Sequence, residues 1–143
     1  MFTSMMIPHH NQAIEMSDLL LAKNDIDPKV SALAQRIKAA QGPEVAQMSG
    51  WLNGWGEDPS TGGMHHGGDD GMLSQAEMNA VKTATGAEAT KLFFDGMIRH
   101  HTGAIGMAQT ELEEGSNPDA KKLAQAITDA QQAEIAEIET PRR

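Results

Sequence analysis

Two stretches of this chain pair adjacent histidines with methionines at helical spacing. The first is Met6-Ile7-Pro8-His9-His10-Asn11-Gln12-Ala13-Ile14-Glu15-Met16. The second is Met97-Ile98-Arg99-His100-His101-Thr102-Gly103-Ala104-Ile105-Gly106-Met107. Imidazole and thioether are donors that soft ions prefer, Cu(I) above all. On a helix, residues three, four and seven apart share a face. His9 is thereby aligned with Met5, Met6 and Met16, and His10 with Met6. His100 is aligned with Met97 and Met107, and His101 with Met97. Adjacent positions diverge by about 100° around the axis, so one histidine of each pair is expected to point inward and the other to sit on the flank. The candidate metal ligands are His9, His10, His100, His101, Met6, Met16, Met97 and Met107. A third cluster, Met64-His65-His66, lies in the glycine-rich run Gly63–Met72 with Asp69 and Asp70 nearby, and its donors also suit copper.

These residues need elements to hold them. Apolar residues recur with helical period in four long segments, and strand alternation is almost absent. The expected helices run from about Thr3 to Lys23, from Asp27-Pro28 onward, from about Ala87 to Glu114, and from Asn117-Pro118 to about Glu139. Asp27 and Asn117 suit N-cap positions with proline next. The inward stripe of the second helix reads Val30, Leu33, Ala34, Ile37, Ala40, Gln41, Val45, Met48 and Leu52. Proline in a helix interior costs about 3 kcal/mol, so a bend is expected at Gly42-Pro43. Pro8 should likewise disturb the first helix beside the histidines. Ser74-Gln75-Ala76-Glu77 is a capping box before a short helix. Gly54–Gly71, rich in glycine, aspartate and serine, reads as a loop. Gly96, Gly103 and Gly106 on the third long helix imply close approach around the histidine layer.

The repeat reaches past the motif. At an offset of 91 residues Phe2 matches Phe93. At 90, Asp27-Pro28 matches Asn117-Pro118, Leu33-Ala34-Gln35 matches Leu123-Ala124-Gln125, Ile37 matches Ile127, Gln41 matches Gln131, and Glu44 matches Glu134. Two helical hairpins that each expose an apolar face bury it best against one another. The expected fold is all-α: a four-helix bundle of two duplicated hairpins with a long crossover holding a short helix. It forms a single domain over 1–143, with halves of about 1–56 and 87–140 and a linker of about 57–86. Within it, Glu44, Glu134, Gln41 and Gln131 are placed to hydrogen-bond the histidines, either as a polar layer alone or as orienting partners of metal-ligating imidazoles.

Composition narrows the functions. The chain has 143 residues, a net charge of −9 and no cysteine. No basic stripe exists to neutralise nucleic-acid phosphate, and thiolate chemistry is absent. No apolar run approaches the roughly 20 residues of a membrane span. Gly-x-Ser-x-Gly and phosphate-loop motifs are missing. A di-iron oxidase wants Glu-x-x-His motifs, and the sequence has none. Ten methionines are individually ordinary core residues. Trp51 and Trp55 are expected to close one end of the bundle.

The two histidine motifs, together with Gln-x-x-Glu, Trp51-Leu52, Trp55-Gly56 and Phe93, make the chain resemble the bacterial family catalogued as domain of unknown function 305, over essentially its whole length. That resemblance implies a ferritin-like bundle, exported or lipid-anchored, with copper-binding members in the periplasm. One departure is Pro43, where the second half has Ala133. The expected function is a secreted or periplasmic protein that binds or sequesters a copper ion, Cu(I) or Cu(II), without catalysis. Because the chain opens inside its motif, a signal or lipid-anchor segment is expected upstream, with Met1 an added start. The alternative is a structural or partner-binding helical bundle without metal.

Overall fold

The structure, a computed structural model, describes residues 2–54 and 71–139. These form α1 (Phe2–Leu21), α2 (Pro28–Gly54), α3 (Gln75–Thr83), α4 (Gly86–Glu114) and α5 (Pro118–Glu139), and no strand occurs among them. α1 packs along α2, α4 packs along α5, and the two hairpins join through α1 and α4. The short α3 rests on α1 and α4.

Local chemistry sets the boundaries. Asp27 Oδ1 accepts the Lys29 amide at 2.8 Å, and Asn117 Oδ1 accepts the amides of Asp119 and Ala120 at 2.9 and 3.1 Å. Each satisfies amides that the first helical turn leaves unpaired. The capping box closes both ways: Ser74 Oγ accepts the Glu77 amide at 3.1 Å while Glu77 Oε1 accepts the Ser74 amide at 2.8 Å. α1 stops at Leu21, two residues short of the expected Lys23. Its last turn tightens there, the Lys23 amide reaching back only to the Leu20 carbonyl at 3.1 Å.

The bends expected at proline do not break either helix. α1 runs through Pro8 and α2 through Pro43. Pro43 and Ala39 lie on the exposed face, where the carbonyl that loses its donor can reach water. Ala40, expected in the inward stripe, is exposed as well. Gln41, four residues after Ile37 and expected in the same stripe, does lie inward.

The core divides into two apolar clusters. One gathers Ala13, Met16 and Leu20 of α1, Val30, Leu33 and Ile37 of α2, Phe93 and Met97 of α4, Ile138 of α5, and Leu73 and Met78 from α3 and its approach. The other gathers Met6 and Ile7, Met48 and Leu52, Ala104 and Ala108, and Leu123, Ala124 and Ile127. The early part of α1 thus meets the late part of α4, so the two helices run antiparallel. On every long helix a polar residue separates the clusters: His9 and His10, Gln41, His100 and His101, and Gln131, all buried. A polar belt crosses the bundle at mid-height. On the outside, Arg36 forms a two-pronged ion pair with Glu137, joining α2 to α5, and Lys38 meets Asp18 at 2.6 Å, joining α2 to α1.

Candidate metal centre

All four motif histidines are buried: His9 is 2 % exposed, His100 1 %, and His10 and His101 0 %. The expectation that one of each pair would sit on a flank is right in direction and wrong in exposure. The flank is itself covered, because each hairpin's second helix lies over it. His9 and His100 face each other between α1 and α4, their ring centroids 3.8 Å apart and tilted by 40°. His10 turns to α2, its Nε2 2.6 Å from Glu44 Oε1. His101 turns to α5, its Nε2 2.5 Å from Glu134 Oε1. The duplicated halves thus reproduce one another around the His9–His100 contact.

An ionised carboxylate can only accept, so the two glutamates hold Nε2 of His10 and of His101 as the donor. A neutral ring then keeps its lone pair on Nδ1. In both residues Nδ1 is buried and has no hydrogen-bond partner, and neither ring nitrogen of His100 has one of good geometry. Burial first, and then the neighbouring imidazoles of His9, His101 and His10, pushes His100 well below the ordinary histidine pKa; the His9 backbone opposes this only weakly. His100 is therefore neutral at pH 7, with a free lone pair. Buried polar atoms normally find partners, and each that does not costs about 1–3 kcal/mol. The glutamines behave otherwise than expected. Both amide atoms of Gln41 and the Oε1 of Gln131 are buried without partners, so they line the belt and do not bond the histidines.

The donors suit a soft ion, but they do not converge into a ready-made cage. Among the described residues no group of three or more histidine, aspartate or glutamate side chains is placed to hold a metal ion. A linear ion shared by His9 and His100 needs centroids about 6 Å apart, from metal–nitrogen bonds of about 2 Å plus the ring radii. Their rings must therefore swing apart to admit one. The methionine candidates flank the belt. Met6 packs in the second apolar cluster, while Met16 and Met97 lie in the first, all three at 0 % exposure. Met107 only borders the second cluster and is half-buried. Met64, His65 and His66, like Trp55, lie outside the described residues.

The sequence reading missed the strap that closes one side of the belt. Gln12, two residues past His10, clasps the Leu73 backbone twice: its Nε2 donates to the Leu73 carbonyl at 2.9 Å and its Oε1 accepts the Leu73 amide at 2.8 Å. Gly71 has φ +79°, and a Cβ there would lie 2.3 Å from the Arg99 carbonyl oxygen and 3.3 Å from His100 Cα. Only glycine lets the chain press so closely on the backbone that carries His100. Arg99 holds Glu77 through two bonds of 2.9 and 2.6 Å. Together with the Ser74 backbone, it pulls the Glu77 carboxyl down to about 2. Arg99, the counterpart of Pro8 in the repeat, therefore anchors α3. Gly96 of α4 is tight against Leu73 and Met16, as expected, whereas a Cβ at Gly106 would meet nothing.

A bundle of two histidine hairpins with this geometry defines the class. The chain matches the family model described as Domain of unknown function (DUF305) over residues 1–141, and it belongs to that family. It is similar to the DUF305 fragment of Deinococcus radiodurans, with 30 % identity, TM-score 0.86, and 96 % of this chain and 90 % of that one covered. It is likewise similar to a DUF305 protein of Streptomyces coelicolor described as a candidate secreted protein, with 31 % identity, TM-score 0.86, and coverage of 96 % and 86 %. CopM, solved in a Cu(II)-bound form, is similar at 32 % identity and TM-score 0.80, covering 96 % of this chain and 90 % of CopM. CopM has also been solved in Cu(I)-bound, silver-bound and metal-free forms. No curated protein sequence matches the chain. No described helix is long and apolar enough to cross a membrane.

Proposed function

We propose that this protein binds copper, Cu(I) foremost, at the buried histidine belt, and that it acts outside the cytoplasm by holding the ion without turnover. One observation carries the reading. Nδ1 of His10 and Nδ1 of His101 are buried without hydrogen-bond partners, and neither ring nitrogen of His100 has a partner of good geometry. A purely structural layer would leave that cost unmet, whereas a metal ion removes it. Glu44 and Glu134 would then orient the ligating rings and raise their basicity, as carboxylates behind metal-bound histidines do. Thioethers of Met6 and Met97, one turn before the histidines on either side, supply soft donors. Likeness to CopM in its copper-bound forms supports the same metal, and likeness to the candidate secreted protein supports the location.

The competing reading, a bundle without metal, is favoured by the two short His–Glu bonds and by the want of a three-residue cage among the described residues. Titration with Cu(I) under a competing chelator separates the two. His9→Ala/His10→Ala and His100→Ala/His101→Ala should each lose at least ten-fold in affinity, and the gentler His100→Gln should follow them if the Ala pairs unfold. Unchanged affinity and stoichiometry in folded variants of both halves would sink the copper reading.

A further inference from the structure

The two sides of the belt are not equally covered. By the repeat, Met107 corresponds to Met16 and Met5 to Gly96. Met16 is 0 % exposed, sealed by Leu73 and pressed against Gly96. On the other side no described element plays the part of α3. There Met5 and Met107 line one open cavity of about 350 Å³ together with Phe2, Glu111 and Glu114. Met5, at 36 %, is the one large hydrophobic side chain that is exposed among the described residues.

We propose that Met5 and Met107 form a second site, for a soft monovalent cation of the Cu(I) or Ag(I) kind. Thioether sulfur is uncharged and polarizable, so it holds such ions and is a poor ligand for hard ones. Both side chains are flexible enough to converge, and they reach the same cavity from adjacent helices. The carboxylates of Glu111 and Glu114 on its wall favour a cation electrostatically. At 1.5 Å of rise per residue, Met5 lies about 6 Å from His9 and Met107 about 10 Å from His100 along the bundle axis. Because α1 and α4 are antiparallel, both displacements point the same way, so the two sulfurs share one end of the bundle. This site is separate from the histidine belt and stands whether or not the belt binds copper.

Methyl-13C methionine labelling of the whole protein tests it. Met5→Leu and Met107→Leu, which conserve volume, assign the two methyl signals. Titration with Ag(I), and separately with Cu(I) under anaerobic reducing conditions, should shift both signals and saturate together; a response to one ion alone assigns the site to that ion. The Met5→Leu/Met107→Leu protein should bind one equivalent fewer in equilibrium dialysis. Methyl signals unmoved at saturating Ag(I) and Cu(I) would overturn the proposal. An equal response to Zn(II) would do so too, because it would assign the binding to Glu111 and Glu114. In His9→Gln/His100→Gln the response should persist; its loss there would make the thioethers subsidiary to the belt and overturn a second site. Failure of the belt reading leaves the methyl response untouched, so the two fail separately.

Discussion

The two ends of the bundle, on either side of the histidine belt, carry corresponding positions of the sequence repeat and are covered differently. At the α3 end, Leu73 fills the space over Met16 and Gly96, Gln12 clasps the Leu73 backbone, and Gly71 lies on the Arg99–His100 backbone. At the other end the same helical register leaves Met5 exposed and Met107 half-buried around an open cavity. A thioether buried among apolar side chains acts as packing. The same thioether facing a cavity with carboxylates on its wall is available to an ion. Corresponding positions thus meet different surroundings, because among the described residues only one end has a cover.

Five substitutions probe that contrast, beginning with the largest expected effect. Gly71→Ala combines a positive φ with a clash against backbone that cannot move aside, and should destabilise by about 2–4 kcal/mol in urea unfolding. An unchanged midpoint would mean that the strap does not press on α4. Exchanging the repeat residues at the two ends should be asymmetric. Gly96→Met overpacks Leu73 and Met16 and should cost about 1–3 kcal/mol, whereas Met5→Gly should cost only about 1 kcal/mol of helix propensity. Equal costs would erase the distinction between covered and open ends. Gln12→Ala removes both bonds to Leu73 and should lower stability by about 1–2 kcal/mol, with faster hydrogen exchange at the Leu73 amide as the local readout.

The smallest effect belongs to Arg99–Glu77. Its side chains are 48 % and 45 % exposed, so the pair contributes less than about 1 kcal/mol. The folded carboxyl sits at about 2, below its ordinary 4.5. The folded state therefore resists protonation, and the contribution is full above about pH 4.5 and fades as pH falls toward 2. Arg99→Met should flatten the acid limb of stability in that window. A wild-type-like acid limb in this variant would show that the ion pair does not anchor α3.

Much of this was legible in the chain, for identifiable reasons. Helix starts at Pro28, Gln75 and Pro118 came from Asp27, Ser74 and Asn117, whose side chains act on amides two or three residues away and so need no tertiary information. The pairing of hairpins came from the repeat. The burial of His10 and His101 did not, because it depends on how far α2 and α5 lie over the α1–α4 seam. Ala40 and Gln41 were both expected inward, but a 3.6-residue period leaves room for only one of two neighbours there, and packing kept Gln41 and exposed Ala40. Met5 was visible as a face-mate of His9, but its spacing does not distinguish a surface thioether from a core one. The Gln12 clasp and the Gly71 contact join residues that are distant in the chain, and nothing local announces them.

By itself, then, the sequence determined the all-α class, the duplicated hairpins, most helix ends and the choice of histidine and methionine at one level, because period, capping and repetition act over a few residues. Only the tertiary structure decided which imidazoles meet, which nitrogens lack partners, and which of two equivalent methionine ends is sealed. Those outcomes depend on the placement of α3 and its strap against one side of the bundle. That placement rests on contacts from Gln12 and Arg99 to backbone and side chains far away in the sequence, where no local rule reaches.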